Sequence, residues 1–295
     1  MVAAGFDELV ARLRAAGCVF AEDEAELLVG AAENPERLEI LVARRVSGVP
    51  LEYVLGWVEF RGLRVGVTEG VFVPRQRTGY LVERAVGLAR ARVAGAARAS
   101  SPASSHGPHG AQPSTGNASR IVAVDMCCGC GALGLAFTTE LAAEGISVDL
   151  TAADVEPAAV ACARRNLAGS GAQVLHGDLF TALPGELAGR VDVLLANTPY
   201  VPSEAIADMP PEAREYEPLM ALDGGADGLD VFRRVAAAAP EWLAPGGHVL
   251  VETGAVQAET AVGILIEHGL TPEVATDAEL DATVVIGSLA GSVGA

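Results

Sequence analysis

Four short runs, each closed or directly followed by a polar residue and set apart by spacers long enough for a helix, constrain this chain most. They are Ile121–Asp125, Ser147–Asp154, Gln173–His176 and Val191–Ala196. The last, Val191-Asp192-Val193-Leu194-Leu195-Ala196, is almost continuously apolar, as expected of a strand buried on both faces of a parallel sheet. After the first run, Ala132-Leu133-Gly134-Leu135-Ala136-Phe137 opens a helical segment. Alternation of this kind predicts an α/β chain with a doubly wound, Rossmann-like parallel sheet. Ligands of such sheets bind at the carboxyl edge. The residues at or just beyond these run ends are Asp125, Asp154, Asp178 and Asn197.

Each end has its own chemistry. Behind Asp125 the loop Cys127-Cys128-Gly129-Cys130-Gly131 gives strand, glycine turn and helix, an order that lets backbone approach a nucleotide-like ligand closely. It is D-x-C-x-G-x-G and matches the dinucleotide fingerprint poorly. Asp154 lies about 20 residues beyond, where a carboxylate can accept from both ribose hydroxyls. Asp178 can accept from an exocyclic amine, with Leu179 and Phe180 beside the ring. The segment Asn197-Thr198-Pro199-Tyr200 reads as an amide or amine clamp. The Asn197 oxygen and the Thr198 carbonyl would accept the N–H groups, and Tyr200 would lie on the nitrogen plane. Taken one at a time, these residues also read as helix caps and turns.

Together they resemble class I S-adenosylmethionine-dependent methyltransferases, and more narrowly the HemK/PrmC family of protein-(glutamine-N5) methyltransferases that modify peptide chain release factors. The narrower resemblance extends to Gly56-Trp57-Val58-Glu59-Phe60-Arg61-Gly62-Leu63, Val71-Phe72-Val73-Pro74-Arg75 and Glu217-Pro218 with Ala221–Leu229. It implies S-adenosylmethionine as cofactor, held by Asp125, Cys127, Gly129, Gly131, Asp154, Asp178, Leu179 and Asn197. It implies catalysis by Asn197, Thr198, Pro199 and Tyr200, and a release factor as the protein substrate. Three positions depart from the pattern: Cys127 stands for a glycine, Thr198 for a proline and Arg77 for a glutamate.

Composition limits the partners. Lys and Arg number 20 against 38 Asp and Glu, a formal charge of −18, so nucleic acid is not expected as a direct partner. No apolar run spans a bilayer. Asp7 and Glu8 replace the basic start of a secretory signal, so the cytoplasm is the expected compartment; the chain is separately expected to be a monomer. The five cysteines lack the paired spacing of a metal site, and Cys128 and Cys130 near a helix N-terminus are expected to have lowered thiol pKa values.

Three parts are expected. Residues 1–50 form a helical domain, from the stripes Phe6, Leu9, Val10, Leu13 and Leu38, Leu41, Val42, with Asn34-Pro35 starting the second helix. The resemblance implies that this domain helps recognise the protein substrate. Residues 51–78 form a linking β-hairpin, and residues 79–295 the catalytic domain. Residues 94–119 are rich in Ser, Pro, Gly and Ala and read as a flexible insertion, with His106 and His109 as polar filler. Two other readings stay open: N-methylation of a nucleic-acid base amine, and a catalytically silent cofactor-binding module. A nicotinamide-dependent oxidoreductase fits least.

Overall fold

The computed structural model describes residues 2–99 and 120–291. A seven-stranded sheet dominates it. Numbered along the chain, β1 (Trp57–Phe60) and β2 (Leu63–Gly66) form a separate antiparallel pair. The large sheet contains β3 (Arg120–Met126), β4 (Ser147–Asp154), β5 (Gln173–His176), β6 (Val191–Ala196), β7 (Leu243–Glu252), β8 (Thr271–Asp277) and β9 (Ala282–Ser288). Its order is β5-β4-β3-β6-β7-β9-β8, with the first five parallel and β9 antiparallel to both neighbours. This is the doubly wound α/β architecture the sequence predicts.

Side-chain alternation divides the core into two layers. Ala123, Leu195, Leu250 and Val284 pack on one face with the helices Gly79–Ala99, Ala132–Ala142 and Pro157–Asn166. Val124, Leu194, Val249 and Val285 pack on the other with Asp230–Trp242 and Ala258–Glu267. Successive strand residues point to opposite faces, so a strand covered on both sides must be apolar throughout. All six residues of β6 are buried.

The N-terminal helices Val2–Ala15, Ala21–Ala31 and Pro35–Val46 have a core of their own, including Leu9, Leu13, Leu28, Leu41 and Val42. Asn34 caps the third by accepting from the Arg37 N–H at 2.8 Å, with Pro35 at the first turn. Arg45 joins this layer to the rest. Its guanidinium donates to both oxygens of buried Glu24 and, at 2.7 Å, to Glu212.

Several expectations need correction. The predicted hairpin over 51–78 is confined to Trp57–Gly66, because Leu51–Leu55 forms a helical turn ended by left-handed Gly56. Helix Gly79–Ala99 continues six residues into the predicted insertion. Its remainder, residues 100–119 with His106 and His109, lies outside the described residues. Strand β7 pairs with β6 through a register shift, a bulge between Val191 and Val193. Among the described residues, no helix is long and apolar enough to cross a membrane.

Candidate active site

The strand ends converge as predicted. Met126 at the end of β3 pairs with Ala153 of β4 on one side and Ala196 of β6 on the other. The residues that follow therefore emerge side by side on one edge of the sheet. One cavity there is lined by Cys127 and Gly129, by Asp154, and by Asn197, Thr198, Pro199 and Tyr200. Sheet register thus brings the two halves of the predicted site onto one surface.

The turn after β3 is left-handed at three places: Cys127 (φ 56°), Gly129 (φ 55°) and Gly131 (φ 80°). Glycine adopts this region freely, whereas Cys127 does so at a cost of order 1 kcal/mol. Among the described residues, a β-carbon on Gly129 would meet nothing within 4 Å, but one on Gly131 would press on Ala163 and Leu167 at 3.2 Å. Gly129 therefore leaves open space in a residue lining the cavity, while Gly131 permits close packing of the helix behind it. Asp154 ties the loop together, accepting from the Gly129 N–H at 2.8 Å and the Glu156 N–H at 2.9 Å. Burial raises its carboxyl pKa against those hydrogen bonds.

The other acidic residues sit differently. Asp125 is 1 % exposed and accepts from the Gly134 N–H at 2.9 Å, while its Oδ1 has no hydrogen-bond partner among the described residues. Burial pushes its carboxyl up to about 8. Asp125 and Gly131 stand behind the cavity wall rather than in it. Asp178 pairs with Arg234 at 2.6 Å on the exposed surface, and Leu179 is buried against the sheet (φ 46°); neither lines the cavity.

The cysteine expectation is overturned. Burial raises the thiols of Cys127 and Cys128 well above their ordinary range and that of Cys130 to about 12. The nearby carboxylates Asp125 and Asp154 add to this at Cys127 and Cys128. Desolvation and negative neighbours outweigh the start of helix Ala132–Ala142. Their surroundings favour the thiol over the thiolate.

At the end of β6, Asn197 has a buried Oδ1 with no hydrogen-bond partner among the described residues. A buried acceptor left unmatched costs about 1–3 kcal/mol, which an N–H donor from a ligand would recover. Tyr200 is held at both ends. The Gln257 side chain donates to its carbonyl at 2.9 Å and to the Asp227 carbonyl at 2.8 Å. Its hydroxyl donates to Glu252 Oε1 at 2.9 Å and accepts from Arg77 at 2.6 Å. Burial, then the charge of Glu252, raises the phenol pKa. Gln257 and Glu252 had no motif to mark them; only a contact map could have found them.

The segment Glu217–Leu229 braces this loop. Val201 and Asp223 form a parallel bridge, the Val201 N–H donates to Leu222 O at 3.0 Å, and the Gly224 N–H donates to Val201 O at 2.9 Å. Glu217, buried, accepts from the Val73 N–H at 3.2 Å and from Arg75 at 2.6 Å. The Val71–Arg75 stretch that lines the opposite wall is thereby fixed to the same segment.

Comparison with known proteins agrees with this geometry. Residues 115–209 match the family described as "Methyltransferase small domain". A release factor glutamine methyltransferase of Geobacter sulfurreducens is 38% identical over 241 residues, covering 80% of this chain and 72% of that protein. The chain belongs to the release factor glutamine methyltransferase family. Another member, from Bradyrhizobium diazoefficiens, is 32% identical over 291 residues, 92% of this chain and 89% of its own. Among solved structures, a Thermus thermophilus 16S rRNA N2 G1207 methyltransferase with AdoMet and guanosine has a TM-score of 0.49 at 18% identity, covering 79% of this chain and 49% of that one.

The cavity of this family member suits S-adenosylmethionine. Its glycine turn leaves open space at Gly129, and Asp154 retains lone pairs beyond those used by two backbone N–H groups. A carboxylate with free lone pairs beside open space is the acceptor that the hydroxyls of a cationic, ribose-bearing molecule require.

Proposed function

We propose that this chain transfers a methyl group from S-adenosylmethionine to the side-chain amide nitrogen of a glutamine in a peptide chain release factor. One observation carries the reading: an asparagine carbonyl oxygen, buried and unmatched among the described residues, in a cavity that also contains Asp154 and the glycine turn. S-adenosylmethionine supplies an electrophilic methyl on a cationic sulfur. Asp154 and the backbone of Gly129 are assigned to hold it.

The acceptor nitrogen of an amide is a poor nucleophile because its lone pair is delocalised. Asn197 Oδ1 and the Thr198 carbonyl accept its two N–H bonds, fixing the nitrogen and favouring pyramidalisation as the new carbon–nitrogen bond forms. Tyr200 walls the amide plane, and Pro199 keeps Thr198 extended. The lone pair forms the new bond as the carbon–sulfur bond breaks, and the nitrogen then releases one proton to water. Displacement of this kind needs alignment and exclusion of water more than a strong base. The N-terminal helical layer, joined through Arg45 to Glu212, is assigned to recognition of the release factor.

Purified enzyme, radiolabelled cofactor and either release factor or bulk tRNA and rRNA test the reading. Label on one glutamine of the release factor, located by tryptic mass spectrometry, is the expected result. Label on nucleic acid alone assigns a base amine instead. Cofactor binding without transfer to either assigns a silent module.

A further inference from the structure

A stacking wall needs only an aromatic ring, yet the Tyr200 hydroxyl is engaged in a closed three-membered network. Arg77 Nη2 donates to the hydroxyl at 2.6 Å, the hydroxyl donates to Glu252 Oε1 at 2.9 Å, and Arg77 Nε reaches the same Oε1 at 3.1 Å. The three groups come from separate parts of the chain: the loop after β2, the loop after β6 and the end of β7. Glu252 has a side chain only 2% exposed, and its other oxygen is unpartnered among the described residues. A carboxylate buried that deeply needs a compensating cation, and Arg77 supplies it. The guanidinium fork spans both partners at once, which a point-charge ammonium cannot do.

We infer that Arg77, with Glu252, is a positioning residue for Tyr200 in the methyl-transfer reaction. This rests on the function proposed above. The network has two effects. With Gln257 gripping the carbonyl, the ring is pinned at both ends and cannot swing out of the acceptor plane. The hydroxyl proton is also committed to Glu252. A free phenol beside the acceptor could donate to the amide nitrogen or oxygen and compete with Asn197 for its orientation. Committing that proton leaves the face of the ring as the surface presented to the amide. Arg77 also lines the cavity, and the role inferred for it is exerted through Tyr200.

Arg77→Gln tests this. Turnover of release factor is expected to fall about 10- to 100-fold with cofactor affinity unchanged within about twofold, the signature of lost alignment rather than a lost pocket. Adding Tyr200→Phe to Arg77→Gln is expected to cost no more than the worse single change, since both break one network. Losses that multiply, or an equal loss of cofactor affinity, overturn the inference. A readout independent of turnover is fluorine NMR of protein labelled with 3-fluorotyrosine, the Tyr200 signal among the 4 tyrosines being identified with Tyr200→Phe. That signal is expected to shift or broaden in Arg77→Gln, and an unmoved signal overturns the inference. If Arg77→Gln does not fold, Arg77→Lys keeps a cation beside Glu252 without the fork and is expected to show the same displaced signal. A wild-type enzyme that methylates no release factor refutes the proposed substrate, while the fluorine signal still judges the network.

Discussion

Gly228 approaches the Tyr200 carbonyl so closely that a β-carbon on it would stand 2.2 Å from that oxygen and 2.3 Å from Gln257 Nε2. Its backbone is also left-handed, with φ 80°. The late glycine-rich segment is therefore fitted against the back of the acceptor loop. Gly228→Ala is expected to destabilise the fold by about 1–3 kcal/mol and to lower turnover at least about tenfold, because Tyr200 must move to make room. Urea unfolding and turnover under single-turnover conditions check both; a variant with normal stability and turnover refutes the close fit.

Asn197→Ala is expected to lower turnover by about 10²–10³-fold, comparable to losing one preorganised group in the transition state. Its oxygen has no intramolecular partner among the described residues, so little stability should be lost with it. Calorimetric titration with S-adenosylmethionine should give an affinity near wild type. Weakened cofactor binding with retained turnover would move Asn197 from the acceptor to the donor side.

Cys127 adopts a conformation that suits glycine. Cys127→Gly relieves the left-handed strain but frees the unfolded chain, leaving a net gain of at most about 0.5 kcal/mol. A raised urea midpoint is the expected observation. A lowered midpoint would show that the side chain contributes more through packing than the backbone loses.

The pH dependence of stability should carry the mark of Asp125. Its folded pKa of about 8 lies above the ordinary 3.8, so the folded state holds its proton more tightly. The stability this contributes is fully present below about pH 3.8, declines as pH rises, and is lost once pH passes about 8. Asp125→Asn deletes that decline, so its stability relative to wild type should increase between pH 5 and 8.5. Unfolding curves at three pH values suffice, and a constant difference would exclude the effect.

The loop thiols should be inert in the native protein. Cys128 and Cys130 are buried with raised pKa values, so alkylation by iodoacetamide at pH 7.5 should reach them only on unfolding. Peptide mapping after a timed pulse resolves each site. Rapid labelling of either one in folded protein would contradict the burial.

The central strands were legible because burial on both faces forces a continuous apolar run, as in β6. The edge strand β8 was not. Thr271-Pro272-Glu273-Val274-Ala275-Thr276-Asp277 is mostly exposed, and an edge strand accepts a proline and polar residues without penalty. Helix Ala21–Ala31 was equally obscure, since its buried stripe of Ala21, Ala25 and Leu28 offers small residues with little hydropathy contrast. The hairpin is shorter than expected because residues 52–73 alternate polar and apolar positions with glycines between them, while Leu51–Leu55, between Pro50 and the left-handed Gly56, takes a helical turn.

The order of strands, glycine turn and polar strand ends is written in the sequence by itself, because periodicity, φ preference and burial on two faces act over a few residues at a time. That Asp154 and Asn197 share a cavity follows once parallel register is fixed. Local pattern could not say that Asp125 is sealed behind the wall or that the surroundings of the loop cysteines favour the thiol. Nor could it join Arg77, Tyr200 and Glu252. Those facts depend on solvent exclusion and on side chains more than 50 residues apart meeting, which only the packed tertiary structure decides.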